Sequence, residues 1–174
     1  MAAMLMGAWS LQSCDNEPTK EVWLDEFGQD SCYVQDWGML EVNRSVVHTP
    51  LTVNGVVYER GLGAHSISRL LYDLDGKAVS ISGLAGADDK NLFAGKLQFK
   101  ILGDKKELWK SGVMQKGDPV KEFNVNLKGV DKVLLLVEEC GDGIMYDHAD
   151  WLNVKITTRG DVKPVPAWAK PVAK

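Results

Sequence analysis

Between about residues 20 and 160 the chain never sustains an apolar period of 3.6 residues; short apolar alternations are broken every few positions by glycine, aspartate or asparagine. That pattern excludes a helical bundle and predicts many short strands. Leu97, Phe99 and Ile101 alternate with Lys96, Gln98 and Lys100, and Phe123, Val125 and Leu127 alternate with Glu122, Asn124 and Asn126, so each run reads as a strand with one wet face. Residues 133–137 (VLLLV) are continuously apolar between charges, as expected of a central strand covered on both sides, and Leu152, Val154 and Ile156 supply another alternating strand. Turn signals separate these runs at Asn54-Gly55, Asp75-Gly76, Gly103-Asp104, Lys128-Gly129 and Asp142-Gly143. The expected fold is all-β, an antiparallel two-sheet β-sandwich.

With 174 residues there is room for one domain and its tails. Residues 2–13 (AAMLMGAWSLQS) are mostly apolar, too short to span a bilayer but of the length of a signal-peptide core, and they end at Cys14. Leu11-Gln12-Ser13-Cys14 resembles a bacterial lipobox, although no Lys or Arg precedes Lys20. The expectation is an exported chain, periplasmic, secreted or held at the cell surface, whose membrane contact is a lipid anchor at Cys14. In that compartment Cys32 and Cys140 either pair or persist as buried free thiols. Residues 161–174 carry three prolines without strand or helix period and read as a linker or tail, so the layout is 1–20 signal-like segment and tether, 21–160 sandwich, 161–174 linker. As a linker it would lead to a further domain. Lys plus Arg number 20 against 24 Asp plus Glu, a net charge of -4, which argues against a nucleic-acid partner.

The polar groups outside the strand faces gather in four segments read as loops: residues 35–38 (QDWG), 61–66 (GLGAHS), 86–91 (GADDKN) and 141–151 (GDGIMYDHADW). Gly61-Leu62-Gly63 is not a dinucleotide fingerprint, since no third glycine and no helix pattern follow, and reads as a turn. Asp147-His148-Ala149-Asp150 lacks the spacing of a zinc helix; His148 and Asp150 would share a direction only if the segment were extended. Calcium suits the loop carboxylates better, with local turn capping as the competing explanation. No GxSxG serine and no cysteine with a catalytic companion appears. Loop aspartates alone leave a two-carboxylate glycosidase open.

A sugar needs an aromatic face for its C–H patch and planar polar groups for its hydroxyls. Trp37, Tyr146 and Trp151 offer faces, and His65, Asp88, Asp89, Asp147 and Asp150 offer hydrogen-bond partners. These eight residues are the candidate carbohydrate-binding set, with no catalytic residue among them.

The same segments carry a resemblance. Residues 50–66 (PLTVNGVVYERGLGAHS), Tyr72-Asp73-Leu74, Gly86-Ala87-Asp88-Asp89, residues 108–114 (LWKSGVM), and Gly141-Asp142-Gly143 followed by residues 147–151 (DHADW) resemble, in order, the NPCBM domain or family-51 carbohydrate-binding module; Trp23-Leu24-Asp25 and Trp37-Gly38 match its start. The likeness runs from about residue 22 to 159. It implies a jelly-roll, galactose-binding-like sandwich. It also implies non-catalytic binding of galactose-containing and blood-group-type glycans, beside glycoside hydrolases of α-galactosidase type, with one structural calcium ion in some members. Residues 46–49 (VVHT) and Ser66-Ile67-Ser68 depart from the usual Asp-Gly-Asn and Ala-Asn-Ser of relatives. The expected function is therefore carbohydrate binding that targets a hydrolase or a cell surface. The rivals are a glycoside hydrolase, whole or in fragment, and a protein-interaction sandwich.

Overall fold

The computed structural model describes residues 17–93 and 95–166, apart from the side chains of Cys32 and Tyr33. The proposed signal segment and Cys14 lie outside the described residues. Among the described residues, fourteen strands and one 3-10 segment, Leu24–Ser31, make up the fold. One sheet runs β11 (Lys121–Asn126), β8 (Ala78–Ala87), β13 (His148–Thr158), β6 (Gly61–His65), β3 (Glu41–Val42), with β1 (Lys20–Trp23) also on β13. The other runs β10 (Lys106–Met114), β9 (Leu97–Gly103), β12 (Lys132–Glu139), β7 (Ser68–Asp73), β14 (Lys163–Pro164), with β2 (Cys32–Gln35) also on β7. A separate hairpin, β4 (Leu51–Val53) and β5 (Val56–Tyr58), turns on Asn54 and Gly55, both at positive φ, as a two-residue hairpin requires. All pairings are antiparallel, and the sandwich expected from the alternation is the one observed.

The inward positions alternate as the sequence implied. Leu97, Phe99 and Ile101 face Phe123, Val125 and Trp151 in one core, while β12, flanked by β7 and β9, buries Val133, Leu135, Leu136 and Val137. A smaller cluster of Leu51, Val53 and Leu152 shows that the β4–β5 hairpin covers the outer face of the first sheet. Two glycines allow close approaches of this kind, Gly86 to the hairpin and Gly63 to the 44–45 backbone. A Cβ on Gly86 would meet the Val53 side chain at 2.7 Å, and one on Gly63 would come 2.3 Å from the Arg44 carbonyl, so no larger residue fits beneath these segments.

Several boundaries differ from the sequence reading. Gly61-Leu62-Gly63 is not a turn but the start of strand β6, fully buried and therefore rich in small residues. Strand β13 begins at His148, so residues 148–151 belong to a strand rather than a loop, and Gly86-Ala87 close β8. The sandwich also continues past residue 160: Val162 is buried, and Lys163 and Pro164 pair with Asp73 and Tyr72. Cys140 is a free, half-buried thiol. Cys32 lies opposite Leu70, which lies opposite Leu135, leaving Cys140 five residues farther along β12. That is about 16 Å along the strand, well beyond the reach of a disulfide. Burial and the nearby carboxylates of Asp147, Glu139 and Asp142 push the Cys140 thiol pKa up, which keeps it protonated and unreactive.

Candidate carbohydrate-binding site

Antiparallel register places His148 of β13 directly opposite His65 of β6. Cross-strand neighbours project from the same sheet face, so the two imidazoles meet with ring centroids 5.5 Å apart. Alternation along β13 then puts His148, Asp150 and Leu152 on the outer face and Ala149 and Trp151 in the core. Trp37, from the bend after β2, lies over both histidines: its ring stacks on His148 at 5.9 Å and 11° and meets His65 at 4.9 Å. Trp37 remains 49% exposed, so one face of the indole is open to solvent.

These three rings form one wall of a pocket of about 570 Å³, completed by Val47, Lys90, Leu92, Ile144, Met145 and Tyr146. Among the described residues, no aspartate or glutamate lines it. His65 Nδ1 lies 2.6 Å from the Ser66 carbonyl, so Nδ1 carries the proton and Nε2 is left as an acceptor. Burial lowers the pKa of His65, partly offset by that carbonyl, and burial together with His65 lowers that of His148. Both rings are neutral at pH 7. The wall can therefore stack a ring face and accept a hydroxyl proton without presenting charge.

Of the eight residues chosen from sequence, the structure brings Trp37, His65 and Tyr146 to this pocket. Asp147 lies just behind it, fully buried, accepting a hydrogen bond from Ser66 Oγ at 2.9 Å while its Oδ1 has no partner. Burial pushes its pKa up to about 6, against the effect of Ser66 and with that of Asp142 and Glu139. Asp89 is a hairpin cap, taking the Asn54 and Gly55 amides at 3.0 and 2.7 Å. Asp88 is buried and takes the Thr52 and Lys90 amides. Asp150 is buried under the hairpin, and Trp151 is a core residue packed edge-on against Phe99 and Phe123 at 4.9 and 5.8 Å. Neither can touch a ligand in the pocket. His148, absent from the eight, also lines the pocket, and strand alternation through residues 148–152 is the signal that finds it.

The carboxyl pair under the hairpin is unusual. Both Asp150 oxygens are buried without a hydrogen-bond donor, and burial, then the charge and contact of Asp88, then Asp89, raise its pKa well above the usual range. Beside Asp88, the buried Asp150 carboxyl is favoured in its neutral form unless a cation lies between them. Among the described residues no group of three or more His, Cys, Asp or Glu is placed to share a metal ion. Asp88 and Asp150 nonetheless form an oxygen-only donor pair of the kind a hard cation takes, with room in its shell for backbone carbonyls.

The profile of the NPCBM/NEW2 domain matches residues 20–157. The chain belongs to the NPCBM family. An Alpha-1,3-galactosidase B of Akkermansia muciniphila is 29% identical over 130 residues, which is 72% of this NPCBM chain and only 16% of that protein. Among solved structures, the CBM51 of a Clostridium perfringens GH95 protein, in complex with methyl-galactose, superposes with a TM-score of 0.70 at 25% identity, over 79% of this chain and 99% of that one. The C. perfringens ZmpB structure that joins an M60 catalytic domain to two CBM51 domains matches with a TM-score of 0.72 at 28% identity, over 81% of this chain and 15% of that one. Fold and family are those of carbohydrate-binding modules.

Proposed function

We propose that this NPCBM chain is a non-catalytic module that binds galactose-containing glycans, stacking the sugar on Trp37 and accepting its hydroxyl protons on His65 and His148, and so brings a glycoside hydrolase or a cell surface to its substrate. The observation that carries the reading is a half-exposed indole braced by two neutral imidazoles in a pocket that no carboxylate lines. The glycosidase alternative needs two carboxyl groups flanking a bond, whereas Asp147 and Asp150, the carboxyls with raised pKa, are both fully buried and neither lines the pocket. The protein-interaction alternative draws on exposed apolar side chains, Leu92 and Met145 in the pocket lining and Phe93 against Tyr146. Calorimetric titration with methyl β-galactoside, beside a turnover assay on an aryl galactoside, separates the three. The expected result is binding in the millimolar to high-micromolar range, about 4 to 6 kcal/mol, with no cleavage. Cleavage, or no binding to any galactoside, would overturn the reading.

We further propose that Asp88 and Asp150 hold a structural calcium ion, supplying the positive charge that the buried carboxylates otherwise lack. Asp150's folded pKa is raised, so without the ion its contribution to stability falls as pH rises from about 4 toward the folded value. The expected result is a melting temperature several degrees higher with calcium than with chelator at pH 7, and a smaller difference at pH 5. Equal melting temperatures in both buffers at both pH values would overturn the calcium site and leave a protonated Asp150 in its place.

Export with Cys14 as lipid anchor is proposed on the Leu11–Cys14 pattern alone. β1 pairs its Lys20 with Thr158 at the far end of β13 from His148, so a tether there leaves the pocket facing outward.

A further inference from the structure

We infer that the pocket takes a galactoside extended by a negatively charged substituent, a carboxylate or a sulfate ester, paired with Lys90. This rests on the sugar site proposed above and specifies its ligand. The first observation is size. About 570 Å³ lies in the range that holds a drug-sized molecule, and one hexose stacked on Trp37 leaves part of it unfilled.

The second is charge. Among the described residues, Lys90 is the one formally charged side chain lining the pocket, and it is exposed. Its backbone is pinned by the 2.7 Å bond from its amide to Asp88 Oδ1, so the loop holds it at the mouth. Lys77, Lys100 and Lys132 each reach a carboxylate within 2.7 Å, whereas the Lys90 ammonium has no ion-pair or hydrogen-bond partner among the described residues. The acids beside it in sequence are occupied: Asp88 by the Thr52 and Lys90 amides, Asp89 by those of Asn54 and Gly55. An anion entering this pocket meets one uncompensated cation and no carboxylate on the walls.

The third is the apolar shelf of Leu92, Ile144 and Met145 on the same pocket. A sulfate has nothing to rest there, but the acetamido methyl of an acidic N-acetylated sugar does, which favours the carboxylate as the source of the charge.

The test is calorimetry on the full chain with three probes: methyl β-galactoside, its 3-O-sulfate, and a sialylated galactoside, each at low and high ionic strength. At low salt the better charged probe is expected to bind about three- to tenfold tighter than the neutral one, between the effect of an exposed ion pair and that of a charged hydrogen bond. The ratio should fall toward one at high salt and in Lys90→Gln, and persist in Lys90→Arg. Sialylated over sulfated identifies the carboxylate source, and the reverse identifies the sulfate ester. A wild-type ratio of one or less, or a ratio that survives Lys90→Gln, overturns the inference while leaving the sugar site standing. If none of the three probes binds, both readings fall.

Discussion

Trp37→Ala is expected to lower methyl galactoside affinity by about tenfold or more, which for a millimolar binder removes measurable binding, while the melting temperature stays close to that of the unaltered chain. The indole is 49% exposed and stands on a bend outside both sheets, so its removal opens no cavity in the core. Covering an aromatic face with the C–H side of a sugar contributes about 1.5 to 3 kcal/mol, and each 1.4 kcal/mol is a factor of ten. Trp37→Phe keeps a face and should keep most of the affinity. His65 and His148 brace the ring from beneath, and their own contacts do not depend on it: His65 is tied to Ser66, and the two strands carry the register. Unchanged galactoside binding in Trp37→Ala would mean that the sugar sits elsewhere.

The strands were legible because a half-buried sheet writes its faces into alternate residues, and β9, β11 and the second half of β13 do this plainly. The site was legible only in part. Glycine, aspartate and histidine are also what loops contain, so the strands that use them for close packing looked like turns. Gly61 and Gly63 are small because the Trp151 carbonyl and the 44–45 backbone press on them, a tertiary cause that no local pattern shows. Residues 148–151 carry the same loop-like composition, and only their extended conformation separates Trp151 from Asp147. Once the segment is extended, period two sends His148 and Asp150 one way and Trp151 the other, and the assignment of roles follows. What the hairpin covers could not be read at all, because β4–β5 reaches Asp88, Asp89 and Leu152 from a distant part of the chain.

The contrast between the two tryptophans is therefore the sharpest check on the whole assignment. Trp151 is fully buried, lies opposite Leu62 and Ala85 on its two partner strands, and presents its ring to the edges of Phe99 and Phe123 from the facing sheet and its own. Trp151→Ala leaves a cavity between the sheets that rigid strands cannot close, at a cost of about 3 to 5 kcal/mol, a large share of the roughly 5 to 15 kcal/mol by which such domains are stable. At about 2 to 4 °C per kcal/mol, the melting temperature is expected to fall by roughly 6 to 20 °C. Trp151→Phe keeps much of the volume and serves as the folded comparison, with a smaller loss of stability. In either variant, galactoside affinity per folded molecule should match the unaltered chain, because His65, His148 and Trp37 stand on the opposite face. A variant at position 151 that melts normally yet no longer binds would reverse the roles of the two indoles and remove the pocket from consideration.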